Sequence, residues 1–455
     1  MIVNSGFLVA AIFILSSMIS IYFIIKKPYM IIMFRRKRFR IESYFLGAVI
    51  GVMLLLAMKL ISSDNLIDSL RGSANLRPLG ILLLFFAMVF ISTFLDQTGF
   101  FEYCARLASR YANNSAKRLF FSIYITVSVL TIFTSNDIII LTFTPFVYYL
   151  AKNAKLNPLP YLIAEFFAAN TWSMFLYIGN PTNIIVASAF RMRFEQYTPL
   201  MILPTIAAGL VNVLILYWLF RKDISGKLRS DGGRPSKAIT DRSGAIIGLI
   251  VMVLCIIALS LAPSIGIEMW VIAGIFSLLL FIIILVKDQI GFRSGARSKL
   301  KITILRMPWS IVPFVLSLFI MVGALSVHGI SSLAGNLFER LSGGNIMLLV
   351  IIYGLGSAFA ANLLNNIPMT VAFVSIMSNS GANITAAGLA TVIGSNLGAN
   401  ITPLGALAGI LWMAILSHKD MRIRFSQFLK YGLLVTIPAI VAALLVLGLE
   451  LTLIL

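Results

Sequence analysis

Long apolar stretches separated by short polar or basic segments recur along the whole chain. About 20 apolar residues suffice to cross a bilayer as a helix. Stretches of that length predict single transmembrane helices, and longer ones with a polar centre predict interrupted helices. The predicted single spans are 6–25, 43–62, 78–95, 198–220, 244–262, 268–286, 308–327 and 431–454, and the predicted interrupted spans are 158–190 and 385–416.

The composition excludes a water-soluble globular domain. Of 455 residues, 60% are hydrophobic and 11% are charged, whereas a soluble domain carries roughly 25% charged residues. Lys and Arg outnumber Asp and Glu by 36 to 16, which in so apolar a chain indicates membrane orientation rather than nucleic-acid binding. Cys104 and Cys255 are too few for a disulfide framework, and His328 and His418 are too few for a zinc site.

The positions of the basic residues predict the orientation. A basic loop, 26–40, follows the first span and should be cytoplasmic. The first span has no small-residue cleavage site, so we interpret it as a retained helix. The resulting topology places 30 of the 36 Lys and Arg inside. It predicts a multi-pass protein of the cell membrane with both termini outside. The other predicted cytoplasmic segments are 95–118, 152–157, 221–243, 287–307 and 417–430.

Stretch 119–151 predicts a re-entrant hairpin. It is too short for two spans, and basic residues on both flanks favour a cytoplasmic location for both ends. Its turn is expected at the polar centre, Thr134 to Asp137. Stretch 345–378 has the same design, with a polar centre at Asn365 and Asn366. This second hairpin is expected to enter from outside.

The order of these segments predicts an all-α protein with inverted repeats, a pattern typical of secondary transporters. Residues 78–220 form the first repeat and 308–455 the second, each with one hairpin and one interrupted helix. Residues 221–307 link the repeats, and 1–77 add two spans.

The helix interruptions and the hairpin tips together predict a binding site. Pro removes a backbone donor and Gly relaxes the chain, so freed carbonyls and amides could face a solute. No Asp, Glu, Lys or Arg lies between Leu341 and His418, which suits a site of neutral dipoles. The helix-break residues are Gly179, Pro181, Pro403 and Gly405, and the candidate binding residues are Ser135, Asn136, Asp137, Asn180, Thr182, Asn183, Asn365, Asn366, Asn400 and Thr402.

Several candidates carry alternative interpretations. Asp137 either couples transport to protons or sodium or serves as a helix cap. The tip residues could be turn residues alone. Glu165 is either a second proton carrier or a residue reached by cytoplasmic water. Asn170, Ser395 and Asn396 are more often interhelical hydrogen-bond partners.

The sequence around these residues resembles motifs of the ion transporter superfamily. Within that superfamily, the resemblance is strongest to the arsenical pump membrane proteins. The shared motifs are the Asn-Asp pair at Asn136 with Thr-Pro at Thr144, the Asn-Asn-x-Pro tip at Asn365, and the segment 398–405. Citrate transporters, sodium/proton antiporters and divalent anion/sodium symporters belong to the same superfamily. The carboxylate symporters carry Ser-Asn-Thr at both tips, whereas Asp137 and Ile367 occupy the third positions here.

The resemblance implies efflux of arsenite or antimonite, as a small oxyanion or neutral hydroxide, by proton antiport. It also implies an elevator-type movement against a dimeric scaffold. The alternatives are sodium-coupled di- or tricarboxylate or sulfate transport, with sodium at the hairpin tips, and sodium/proton exchange. A channel or a membrane enzyme is a third class.

Two separated cysteines predict no thiolate chemistry. We expect no cofactor, no resident metal and no nucleic-acid partner. Without a phosphate-binding Gly-rich loop, energy must come from an ion gradient or a separate ATPase subunit.

Overall fold

The computed structural model describes residues 2–27, 29–34, 37–71, 77–112, 115–226, 237–261, 267–292, 298–417, 419, 421 and 423–454. These residues are mostly helical, since a helix satisfies its own backbone hydrogen bonds inside a bilayer. The helices are α1 (Ile2–Lys26), α2 (Phe45–Ala57), α3 (Ser63–Arg71), α4 (Pro78–Gln97), α5 (Phe100–Tyr111), α6 (Ala116–Phe133), α7 (Asn136–Asn153), α8 (Leu159–Trp172), α9 (Pro181–Ala189), α10 (Phe194–Phe220), α11 (Arg242–Leu261), α12 (Met269–Phe292), α13 (Lys299–Arg306), α14 (Ile311–Val327), α15 (Ile330–Ser342), α16 (Ile346–Leu364), α17 (Asn366–Ser378), α18 (Ile384–Gly398), α19 (Leu407–Ser417) and α20 (Phe425–Ile454).

Nine helical stretches among the described residues are long and apolar enough to cross a membrane. They lie in α1, α4, α6, α10, α11, α12, α13 with α14, α16 and α20. Outer helices such as α12 expose apolar side chains, including Leu278 and Ile282. Such a surface suits lipid rather than water as its solvent. The chain is a multi-pass membrane protein.

The N-terminal segment departs from two predictions. The predicted basic loop 26–40 contains an antiparallel pair of strands, β1 (Tyr29–Phe34) and β2 (Lys37–Glu42), with Tyr29 opposite Glu42. This two-stranded sheet is the exception to the all-α prediction in the described residues. Arg35 and Arg36 lie outside the described residues, as do 227–236 of the predicted loop 221–243, and His418.

The predicted span 43–62 is wrong in length. Helix α2 ends at Ala57, and Lys59 follows with a positive φ of 53°. The Ser62 hydroxyl then accepts a hydrogen bond from the Asn65 backbone N–H at 3.1 Å. Such a cap starts a new helix, α3, because it satisfies an N–H that the first turn leaves free.

Two helix pairs are joined by very short turns. Thr134 and Ser135 connect α6 to α7, and Asn365 alone connects α16 to α17. Both turns fall at the polar centres that the sequence analysis identified. Each second helix begins with an asparagine, Asn136 or Asn366.

The two interrupted helices lie in the interior. Residues Pro160 to Thr171 of α8 and Ala386 to Gly398 of α18 are all buried. A helix buried on every face is enclosed by other protein elements. Helix α6 packs against α8, and α16 packs against α18. This arrangement places the broken ends of α8 and α18 within the protein rather than against lipid.

Candidate substrate site

The first helix-pair turn presents two buried polar side chains. Ser135 occupies the N-cap position of α7 without a capping hydrogen bond from its side chain. The Asn136 amide Nδ2 donates to Asn170 Oδ1 on α8 at 2.8 Å. Within the described residues, Ser135 Oγ and Asn136 Oδ1 have no hydrogen-bond partner. Buried polar atoms are usually paired, so these two atoms are available to a ligand or water.

The first interruption separates α8 from α9. A short 3-10 turn, Tyr177–Gly179, lies between them, and Pro181 begins α9. The Asn180 side chain caps α9 by accepting from Thr182 N at 3.2 Å. Asn183 Nδ2 donates to the backbone oxygens of Ser173 at 2.8 Å and Leu176 at 3.2 Å. These carbonyls are ones that the interruption frees from helical bonding.

Two glycines permit close backbone approaches at the interruptions. A Cβ on Gly179 would lie 2.3 Å from the Ser173 carbonyl oxygen, and one on Gly405 would lie 2.9 Å from Ala399 Cα. Neither position leaves room for a side chain. Pro181 lies at the first position of a helix, where its missing N–H removes no helical bond.

Asn396 of α18 lies at the centre of the network. Its Oδ1 accepts from Ser173 Oγ at 2.7 Å and from Asn180 Nδ2 at 2.8 Å. Its Nδ2 donates to Asn183 Oδ1 at 2.6 Å. The neighbouring Ser395 hydroxyl donates to Thr182 Oγ1 at 3.0 Å. Asn396 therefore joins α18 to both sides of the first interruption, as expected for an interhelical hydrogen-bond partner.

The second helix-pair turn is held by backbone oxygens of the second interruption. Asn365 Nδ2 donates to the Leu404 carbonyl at 3.1 Å, and the Asn366 N–H donates to the Gly405 carbonyl at 2.9 Å. Asn366 Oδ1 has no partner within the described part of the chain. Asn400 Oδ1 accepts from Asn170 Nδ2 at 3.0 Å, whereas Asn400 Nδ2 is without a partner there.

The bonds from Asn136 to Asn170 and from Asn170 to Asn400 connect the first turn to the second interruption. Of the candidate binding residues, four have an unpartnered buried side-chain atom within the described part of the chain, and these atoms are two amide oxygens, one amide nitrogen and one hydroxyl, at Asn136, Asn366, Asn400 and Ser135. This set can accept and donate hydrogen bonds without any charge. Its residues are almost fully buried, so a ligand there would be shielded from water.

Two residues of the network were not predicted from sequence. Asn362 Oδ1 accepts from Thr402 N at 3.1 Å and from Thr402 Oγ1 at 2.7 Å, while its Nδ2 donates to the Gly398 carbonyl at 2.9 Å. Ser173 links Asn170 to Asn396. The sequence feature that could have identified Asn362 is its polar amide in an otherwise apolar helix, three residues before the tip at Asn365.

Asp137 and Glu165 lie outside this amide network. Asp137 is in the first turn of α7, where the helix dipole favours a carboxylate. The cap position belongs to Ser135. Asp137 lies within electrostatic range of Glu42, the last residue of β2, and of Tyr44, the residue before α2. Glu165 is fully buried, which argues against the alternative interpretation that cytoplasmic water reaches it. Its carboxyl contacts Thr144 and Trp412.

The cysteines do not form a soft metal site. Burial raises the pKa of the Cys104 thiol to about 11, so little thiolate is present at neutral pH. Cys255 is buried, with Sγ 3.9 Å from Met88 Sδ. The described residues contain no group of three or more His, Cys, Asp or Glu that could hold a metal ion.

Asn365 holds a backbone conformation that favours glycine, with φ 76° and ψ 153°. Such a conformation costs of order 1–3 kcal/mol in a non-glycine residue. We expect Asn365→Gly to unfold at a higher temperature than Asn365→Ala. Both variants lose the bond to Leu404, and glycine alone relieves the strain. Thermal unfolding in detergent checks this. Equal melting temperatures for the two variants would show that the turn is not strained.

An enclosed set of amides between interrupted helices, in a chain with many apolar helices, defines a membrane transporter. The sequence profile of the citrate transporter family, CitMHS, matches residues 29–393. The chain belongs to this family.

Curated relatives support the same class. The chain is 29% identical over 380 residues to the arsenical pump membrane protein of Escherichia coli strain K12, a match that covers 81% of this chain and 86% of that protein. It is 25% identical over 411 residues to the putative arsenical pump membrane protein of Bacillus subtilis strain 168, covering 85% and 90%. These findings confirm the resemblance to arsenical pump proteins. The family and the relatives are transporters, not enzymes.

A solved structure shares the fold. The YdaH transporter of Alcanivorax borkumensis superposes with a TM-score of 0.57 at 16% identity, over 98% of both chains. At this identity the likeness shows the fold alone.

Proposed function

We propose that this protein is an ion-coupled secondary transporter that exports arsenite or antimonite in exchange for protons. The main support for this proposal is the set of unpartnered, buried and uncharged polar atoms at Ser135, Asn136, Asn366 and Asn400. The names of the arsenical pump relatives support the choice of substrate.

The chemistry of the site suits a neutral hydroxide. At neutral pH, arsenite is mainly a neutral molecule whose hydroxyl groups donate and accept hydrogen bonds. Asn136 Oδ1 and Asn366 Oδ1 can accept from such hydroxyls, and Asn400 Nδ2 can donate to them. No Lys or Arg belongs to the candidate set. A multiply charged anion would need such a counter-charge after its desolvation.

In this proposal, α6 with α7 and α16 with α17 are re-entrant hairpins of two inverted repeats, 78–220 and 308–455. The hairpins and interrupted helices form a transport unit that moves, elevator-like, against a scaffold containing α4 and α14 in a homodimer. The bond between Asn170 and Asn400 supports one unit, because it joins α8 of the first repeat to the second interruption. The protein lies in the cell membrane with both termini outside.

Asp137 is the proposed coupling residue, because it is an acidic group next to the first hairpin tip. Energy comes from the proton gradient. A separate ATPase subunit is the alternative source.

We expect arsenite to raise the melting temperature of the purified protein in a concentration-dependent way, without sodium. Ligand binding to the native state stabilises it by mass action. The measurement is a thermal shift with arsenite, antimonite, citrate and sulfate, each with and without sodium and across pH. Asn366→Ala should abolish the shift. The matched control Asn336→Ala changes an exposed asparagine on α15 and should preserve it.

The second candidate is sodium-coupled transport of citrate or sulfate, or sodium/proton exchange. The family description favours a carboxylate, and the unpartnered oxygens of Ser135, Asn136 and Asn366 are the kind of ligand that a hard cation takes. A thermal shift by citrate or sulfate that requires sodium, with no response to arsenite, would replace the first proposal by this one. A response to sodium and pH alone would indicate exchange.

A further inference from the structure

Glu165 bridges three helices inside the protein. It lies on α8, and its side chain is fully buried. Thr144 Oγ1 on α7 lies 2.9 Å from Glu165 Oε1, and Trp412 Nε1 on α19 donates to Oε2 at 3.3 Å. The rings of Phe166 and Phe428 pack against Trp412, with centroids 5.1 Å and 5.8 Å away. The carboxyl group is therefore enclosed by apolar rings and two polar contacts.

The contacts of Thr144 favour a proton on this carboxyl group. Thr144 Oγ1 also lies 2.6 Å from the Ile140 carbonyl oxygen, which can only accept a hydrogen bond. A threonine hydroxyl has a single hydrogen, and the shorter contact takes it. With that hydrogen on the Ile140 carbonyl, the 2.9 Å contact to Glu165 is a good hydrogen bond when Glu165 is protonated and donates to Thr144 Oγ1. The geometry therefore favours a proton on Glu165.

Within the described residues, no Lys, Arg or His forms an ion pair or hydrogen bond with Glu165 that would stabilise its ionised form. The tyrosines Tyr124, Tyr148 and Tyr161 of α6, α7 and α8 donate to the carbonyls of Gly209, Lys419 and Ala116. The charged residues of the helices packed around α8 lie at helix ends, and they are Lys117, Arg118, Asp137, Lys152, Glu195, Lys430 and Glu450.

We propose that Glu165 is a second proton-binding site of the transporter. It holds its proton in this conformation and releases it to water when a conformational change opens the pocket, leaving a carboxylate. Thr144, Tyr148 and Lys152 recur every four residues and so share one face of α7, between Glu165 and the basic end of that helix. Lys152 Nζ lies 3.3 Å from the Tyr148 hydroxyl. The transport role of this site rests on the proposed function, whereas the presence of the proton does not.

The first test is infrared spectroscopy of the purified protein in lipid, which needs no substrate. Wild-type protein should show the carbonyl stretching band of a protonated carboxylic acid, with a shift in deuterated water. Glu165→Gln should lose one such band, while Asp64→Asn, a change at an exposed acid on α3, should lose none. A Glu165→Gln spectrum identical to wild type in this region would overturn the proposal.

Thr144→Val provides a second variant if Glu165→Gln does not fold. It removes the acceptor of the Glu165 proton and leaves the acid in place. The carbonyl band should persist and move to higher frequency, as expected for a weaker hydrogen bond. An unchanged band position would contradict the assigned donor and acceptor.

The pH dependence of unfolding is an independent readout. The folded protein keeps a proton that the unfolded chain releases at neutral pH, so its stability must fall as pH rises. Between pH values of about 6 and 9, wild type should lose several degrees of melting temperature relative to Glu165→Gln. If the melting temperatures of wild type and Glu165→Gln change in parallel with pH, Glu165 does not hold a proton in the folded protein. If infrared and melting support the proton but arsenite is not transported, the proposed function fails and the proton site stands.

Discussion

Replacing Asn396 by leucine is expected to destabilise the folded protein strongly and to abolish transport. Leucine has similar volume but no polar atoms. Asn180 Nδ2 would lose its hydrogen-bond acceptor, and Asn183 Oδ1 would lose its 2.6 Å donor. Each buried polar group left unpaired costs about 1–3 kcal/mol. The expected loss is therefore on the order of 2–6 kcal/mol, a large share of the roughly 5–15 kcal/mol that stabilises a typical protein.

The measurement is thermal unfolding in detergent together with arsenite transport in vesicles. Asn336→Leu is the matched control, because it makes the same chemical change at an exposed position of α15. The control should melt within a few degrees of wild type. If Asn396→Leu also does so, the observed bonds do not hold the interruption together.

Much of the fold follows from hydrophobic pattern alone. Runs of about 20 apolar residues can form few structures other than spanning helices, and helices α4, α10, α12 and α20 lie where the pattern predicts them. The pattern fails where local chemistry intervenes. The helix in the predicted span 43–62 ends early, at Ala57, before Lys59 takes a positive φ, and Ser62 then caps a new helix. The strands at 29–42 arise in a segment whose charge indicated only a loop.

The interruption residues were predictable because proline, glycine and asparagine are unusual in apolar helices. The sequence could not show which of them pair with one another. Asn362 and Ser173 were missed because a single polar residue in a helix does not reveal whether it faces lipid or a neighbour. The same limit applies to Asn396, since its three partners come from the other half of the chain. Pairings between distant segments depend on tertiary packing.

Replacing Asp137 by asparagine is expected to uncouple transport from the proton gradient. The side chain keeps its shape but can no longer bind and release a proton. Asp137 lies next to Asn136, whose amide belongs to the candidate substrate site. Arsenite accumulation driven by an imposed pH gradient in everted vesicles should fall at least about tenfold, which corresponds to roughly 1.4 kcal/mol of lost coupling. Because the amide network is unchanged, the thermal shift by arsenite should remain.

Two comparisons make this result specific. Asp64→Asn alters an exposed acid of α3 and should preserve gradient-driven accumulation. Asn136→Ala should lose both accumulation and the thermal shift, because it removes a proposed substrate ligand rather than a proton carrier. Wild-type accumulation by Asp137→Asn would exclude Asp137 as a coupling residue. Glu165, the buried acid of α8 that contacts Thr144 of α7, would then be the next candidate for coupling, and loss of gradient-driven accumulation in Glu165→Gln would support that role.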